Sequence, residues 1–161
     1  MVVEEAQDPI PTNSEQELRT ALNGRIGYLL KQVTTRFAQL STTALAPFGI
    51  QGRELAVLSV LRAHGPVSQR ELSHTLHVDR TTMVSLIDQL EEKGLAQRAR
   101  NSRDRRVYDV GLTEDGRSIT AKADAAAART EAELLASLTP AAAWEFRQML
   151  HTIAQPPQAG G

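Results

Sequence analysis

The feature that most constrains the fold of this chain is a change of hydrophobic period at Gly94. Before Gly94, apolar residues recur every three or four positions. Leu55, Leu58, Val60 and Leu61 mark a helix over about 52–63, Leu72 and Leu76 one that ends near residue 76, and Met83, Ile87 and Leu90 one over about 80–93, with Val84 and Leu86 at the edges of its stripe. Gly65-Pro66 stops the first of these helices, and Ser68-Gln69-Arg70-Glu71 opens the second as a capping box, in which Ser68 accepts the Glu71 amide and Glu71 reaches back. Asp79 is the N-cap of the third, and Gly94 stands at the position beyond its C-cap. After Gly94 the period is 2: residues 95–100 read as a strand, 101–105 as a polar turn, and 106–112 as a second strand with Tyr108, Val110 and Leu112 on one face. Helix, tight turn, helix, then hairpin is a helix-turn-helix followed by a wing.

The flanking segments are long helices. Residues 14–46 carry Leu18, Leu22, Ile26, Leu29, Val33, Phe37, Leu40 and Ala44, up to a stop at Pro47 and Gly49. A small globule cannot cover one face of so long a helix, so a partner chain is expected to. Thr113 caps an alanine-rich helix over about 114–137, whose Ile119, Ala123, Ala126, Ala127 and Leu134 are apolar, as is Leu138 just beyond it. Small residues there would let another helix approach closely. Thr139-Pro140 supplies an N-cap and an N1 proline to a last helix with Trp144, Met149, Leu150 and Ile153. Residues 1–12 and 156–161 read as tails. The expected class is mainly α with a small β-hairpin wing, in six helices: a winged helix-turn-helix domain over 47–113 between dimerisation helices at 13–46 and 114–155.

Composition narrows the function. Aromatics are 4% of the 161 residues, so the core is built from Leu, Ile, Val and Ala. Cysteine is absent, which excludes disulfides, thiolate metal sites, cysteine nucleophiles and thiol redox sensing. There is no phosphate-cradling glycine loop, no Gly-x-Ser-x-Gly and no His-Glu-x-x-His, so an enzyme is not expected. His64, His74, His77 and His151 are scattered; the i, i+3 pair His74 and His77 lacks a third ligand, and no metal or other cofactor is expected. With no apolar run of membrane length and an acidic, proline-containing start unlike a signal peptide, the expected location is cytoplasmic.

The net charge is −1, but Lys93, Arg98, Arg100, Arg103, Arg105 and Arg106 stand against Asp104 alone between residues 93 and 106. A local basic cluster on a neutral chain is the footprint of a phosphate contact; the alternative is a solvated basic loop. The helix from Arg80 is the candidate recognition helix. It presents Arg80, Thr81, Thr82, Ser85 and Gln89, groups that read guanine, adenine and the thymine methyl in a major groove. The alternative is a plain polar surface. Ser68 is a candidate phosphate contact and equally a helix cap, roles that can hold together. Arg98 and Arg100 on the strand would meet the DNA backbone, and Arg103, Arg105 and Arg106 form the wing tip, with Asp104 bracing a neighbouring arginine.

The stretch Asp104-Arg105-Arg106-Val107-Tyr108-Asp109-Val110-Gly111-Leu112-Thr113-Glu114-Asp115-Gly116 resembles the wing signature of MarR family transcription regulators: Asp-x-Arg, three residues, an aliphatic, x, then Leu-Thr-x-x-Gly. Leu90-Glu-Glu-Lys-Gly-Leu95 resembles the end of that family's recognition helix, and the likeness spans about 14–155. It implies an intertwined homodimer with DNA-binding lobes and a repressor released by a small, often aromatic or phenolic, acid. It also implies that Arg106 sits in or near the minor groove, where narrow A·T-rich tracts attract arginine. A two-fold dimer would read a pseudo-palindrome with half-sites about one helical turn apart. Effector candidates by location are Tyr28, Arg36, Phe37 and His64, of which Tyr28 and Phe37 read equally as core or interface aromatics and His64 as an exposed helix end. The functional alternative is a winged-helix module for protein–protein contact without specific DNA binding, against which the arginine-rich wing argues.

Overall fold

The computed structural model describes residue 22, residues 24–101 and residues 108–155. Among them are six α-helices: α1 (Ile26–Leu45), α2 (Gly52–His64), α3 (Gln69–Thr75), α4 (Arg80–Glu92), α5 (Glu114–Leu134) and α6 (Pro140–Ala154). They share the chain with strands β1 (Val67–Ser68), β2 (Ala96–Arg100) and β3 (Tyr108–Leu112) and a 3-10 turn, Ala46–Phe48. The mainly helical winged helix-turn-helix architecture is as the sequence predicts. The beginning of the first helix, both tails and the hairpin tip at 102–107 lie outside the described residues.

The chain divides into two compact units, Met1–Arg36 and Phe37–Gly161. The described part of the first is the N-terminal portion of α1, on which Ile26, Leu29, Leu30 and Val33 are exposed. The second holds one core: Leu55, Val57, Leu58 and Leu61 of α2, Leu72 of α3, Met83, Leu86, Ile87 and Leu90 of α4, Leu95, Val110 and Leu112 around the sheet, and Ala123 of α5. Burying each Leu, Ile or Met contributes roughly 1.5–3 kcal/mol. Leu86, expected at the edge of the α4 stripe, is buried, whereas Val84 is 41% exposed.

The sheet has three strands in the order β1-β3-β2. Ala96 to Arg100 pair antiparallel with Leu112 to Tyr108, and Val67 and Ser68 add a third edge against Val110 and Asp109. The extra strand is too short to carry an alternation signal in sequence. Val110 is wholly buried, but Tyr108, on the same face at the open end, stays exposed beneath the Arg100 guanidinium, 5.9 Å from the ring centre.

The period change at Gly94 is a helix stop with both of its hydrogen bonds made. Gly94 adopts φ 69, its amide donates to Glu91 O (2.9 Å), and the Leu95 amide donates to Leu90 O (2.9 Å). The same backbone anchors α5. The Thr113 hydroxyl donates to Gly94 O (2.7 Å) and accepts the Gly116 amide (2.9 Å), while the Thr113 amide donates to Leu95 O (3.2 Å). A Cβ on Gly116 would lie 1.9 Å from Leu95 O, which explains the glycine three residues after Thr113. Gly116→Ala is therefore expected to destabilise the protein by roughly 3 kcal/mol, the upper end of overpacking effects, in a denaturant titration. A change below about 0.5 kcal/mol, the size of an ordinary surface substitution, would show that this junction does not hold α5.

Candidate nucleic-acid interface

Helix α4 begins at a cap built entirely from local sequence. Asp79 accepts the Thr82 amide (2.9 Å) and the Thr82 hydroxyl (2.6 Å). Thr82 is thus half-buried and engaged, while Arg80, Thr81, Ser85 and Gln89 are exposed, with Gln89 Nε2 3.5 Å from Ser85 Oγ one turn earlier. The turn between α3 and α4 carries His77 in the left-handed region, φ 49. At the head of α3, Ser68 makes the expected capping box: its hydroxyl donates to Glu71 Oε2 (2.7 Å) and accepts the Glu71 amide (3.3 Å), and its own amide donates to the same carboxylate (2.9 Å).

Two of the three described cations of the basic run are engaged within the protein. Lys93 Nζ reaches both oxygens of Glu54 at 2.6 and 2.8 Å, and Glu54, only 1% exposed, also accepts the Gln51 amide (2.8 Å). The Arg98 side chain, 22% exposed, pairs with Asp88 of α4 (2.7 Å) and with Glu91, which also accepts the Arg98 amide (2.7 Å). Arg98 thus ties β2 to α4, and Arg100 remains exposed beside it. Arg103, Asp104, Arg105 and Arg106 lie outside the described residues. Sequence reasoning missed Glu54, Asp88 and Glu91; the Gln51-x-x-Glu54 spacing hints at a cap, but nothing local points to Lys93, 39 positions away.

Of the effector candidates, Tyr28 and Arg36 fall in the first unit and Phe37 and His64 in the second; Tyr28 is half-buried and the other three are exposed. A cleft of about 260 Å³ lies between the end of α2 and the sheet, lined by Arg62, Pro66, Gln97, Asp109 and Arg117 among others, and by none of those four. Its two arginines are paired, Arg62 with Asp124 and Arg117 with Glu114, both at 2.9 Å. No group of three metal-ligating side chains occurs among the described residues, and no single described helix is long and apolar enough to cross a membrane.

Hydrogen bonds from the Thr82 hydroxyl and amide hold the Asp79 carboxyl below its ordinary range, and those from Ser68 do the same for Glu71. A carboxylate with a lowered folded pKa stabilises fully above its unfolded value, near ~4, and loses that contribution as pH falls through the folded value. The caps of α3 and α4 should therefore weaken below about pH 4. Thermal melts of Asp79→Asn are expected to fall less steeply with acid over that range than those of the wild type. Parallel curves would remove Asp79 from the acid response.

Comparison with known proteins places this geometry. Residues 48–107 match a family model described as MarR family. The crystal structure of a transcriptional regulator of the MarR family from Rhodococcus sp. RHA1 superposes with a TM-score of 0.75 at 31% identity, over 84% of this chain and 96% of that one. CouR from Rhodococcus jostii RHA1, bound to p-coumaroyl-CoA, gives 0.75 at 30% identity, covering 86% and 98%. The transcriptional repressor Rv2887 of Mycobacterium tuberculosis is 29% identical over 80% of this chain and 92% of its own length. The structure of its complex with DNA superposes with a TM-score of 0.67 at 28% identity, over 82% and 99%. From the winged helix-turn-helix geometry and these matches together, the chain belongs to the MarR family of transcriptional regulators.

Proposed function

We propose that this regulator is a homodimeric repressor that sets α4 of each protomer into the major groove of a pseudo-palindromic operator and lays each wing along the neighbouring minor groove. The observation that carries this reading is the exposed face of α4, where Arg80, Thr81, Ser85 and Gln89 stand free of the core on a helix anchored at both ends. Arg80 suits guanine, Gln89 suits adenine, and Thr81 and Ser85 suit either base edge or phosphate. Thr82 acts through the cap it completes. Ser68 presents the head of α3 to a phosphate, and Arg100 meets the backbone. Arg103, Arg105 and Arg106 supply the wing tip, with Asp104 bracing them; Arg98 holds helix and wing in register rather than touching phosphate. Residues 47–113 then form the DNA-binding domain, acting in the cytoplasm.

The dimer reading is supported by apolar surface that one chain leaves in water. Ile26 is 75% exposed on α1, Trp144 64% and Ile153 78% on α6, and α6 buries no residue at all among those described. A second copy would cover these faces, with 13–46 and 114–155 as the dimerisation helices. The DNA complex of the repressor Rv2887 supports operator binding and repression, and the p-coumaroyl-CoA bound to CouR supports control by an aromatic acid or its derivative, with Tyr28, Arg36, Phe37 and His64 as candidate contacts.

The test is to incubate the purified protein with fragmented genomic DNA of its source and sequence what it retains. An enriched inverted repeat supports the reading, and retention without a common motif, or none at low salt, overturns it. On that repeat, Arg106→Ala should lower the slope of log affinity against log salt by about one, the loss of one phosphate contact. Arg80→Ala should cost about 1–3 kcal/mol and relax base preference at one position per half-site. An unchanged slope or preference would remove that residue from the interface. Trp144→Glu combined with Ile153→Glu should convert the dimer to monomer in sedimentation and lose operator binding with it; a dimer that survives both would place the interface elsewhere.

A further inference from the structure

Val84 is out of place by the rule that orders the rest of α4. Met83, Leu86, Ile87 and Leu90 are buried, yet Val84 belongs neither to the core cluster nor to the half-buried apolar residues packed around it. Between residues 45 and 101 it is the one large hydrophobic side chain left exposed among the described residues; the others lie on and just before α1, on and just before α6, and at Tyr108. Unlike the apolar faces of α1 and α6, it stands alone among polar neighbours. Arg80 and Thr81 lie one turn before it and Asp88 one turn after. Asp88 pairs with Arg98 of β2, as does Glu91.

We infer that Val84 is a specificity residue that recognises the 5-methyl group of one thymine in each operator half-site. This rests on the docking of α4 in the major groove proposed above. The thymine methyl is the apolar group that the major groove offers, and it marks A·T pairs and their orientation. A valine in a helix is held to essentially one rotamer, so its two methyls point in a fixed direction and lose little entropy on contact. Arg80 and Gln89 read purine edges, and Val84, between their turns, reads a pyrimidine that neither hydrogen-bonding group can distinguish by its methyl.

The test removes only that methyl. In the operator recovered from genomic fragments, each thymine of both half-sites is replaced in turn by deoxyuridine, and affinities are measured for the wild type, Val84→Ala and Val84→Thr. The wild type is expected to lose roughly three- to fivefold per half-site at one thymine position, the effect of burying one methyl. Val84→Ala should bind the thymine and uracil operators equally at that position, and Val84→Thr, which keeps one methyl, should fall between. Equal melting temperatures for the three proteins are expected, since the side chain lies outside the core. Specific operator binding with no uracil-sensitive position, or the same uracil profile in Val84→Ala as in the wild type, overturns this assignment alone. Absence of any specific operator binding overturns it together with the proposed function.

Discussion

The Leu95 carbonyl is the point on which the winged domain turns. It accepts the Thr113 amide and lies so near Gly116 that no side chain fits there. One residue earlier, the Gly94 carbonyl takes the Thr113 hydroxyl. The end of α4, the start of β2 and the head of α5 are therefore joined through two backbone carbonyls and one short side chain, that of Thr113. A buried backbone carbonyl that finds its partner costs little, and one that loses it costs the full desolvation of the group. The sheet cannot shift against α4 without giving up these bonds.

Charge completes what the backbone begins. Buried Glu54 binds Lys93 at the end of α4 and thereby ties α2 to it; Arg98 gathers Asp88 and Glu91 and ties β2 to it. A carboxylate as buried as Glu54 would be costly alone and is held by two hydrogen bonds from the ammonium and one from the Gln51 amide. These cations look from sequence like part of a phosphate-binding run, and two of them work inside the protein instead. What α4 and β2 leave exposed beside those ion pairs is the Arg80, Thr81, Ser85 and Gln89 side chains and Arg100.

The outer helices follow the opposite logic. The alanines of α5 let α2 lie close, with Ser59 and Arg62 both bonded to Asp124 at 2.9 Å. Helix α6 has its cap and N1 proline but no core to face. Ala142, Ala143 and Phe146 are half-buried and Arg147 pairs with Glu131 of α5 (3.2 Å), but none of the helix's described residues is fully buried. A helix of this kind is marginal in water by propensity alone and gains its stability from a partner surface.

Much of this was legible from residue order, because its causes are local. The capping box at Ser68, the Asp79 cap, the Gly94 stop, the alternation of 108–112 and the Thr139-Pro140 start all act within four or five residues, and each element begins or ends where those signals stand. The Leu-Thr-x-x-Gly pattern carried the family likeness, though not its reason, since the atom that forbids a side chain at Gly116 belongs to Leu95. The elements that escaped depend on partners distant in sequence. The two-residue strand β1 exists only because β3 offers it an edge, Glu54 finds Lys93 across 39 positions, and Arg98 turns inward to carboxylates on a different element. Val84 and Leu86 differ in burial because the angle at which α4 meets its neighbours sets which flank of the apolar stripe is covered. Periodicity and caps act over one or two turns of chain and so are written in the sequence; the pairing of charges and the choice of exposed flank depend on where separate elements come to rest, which packing alone determines.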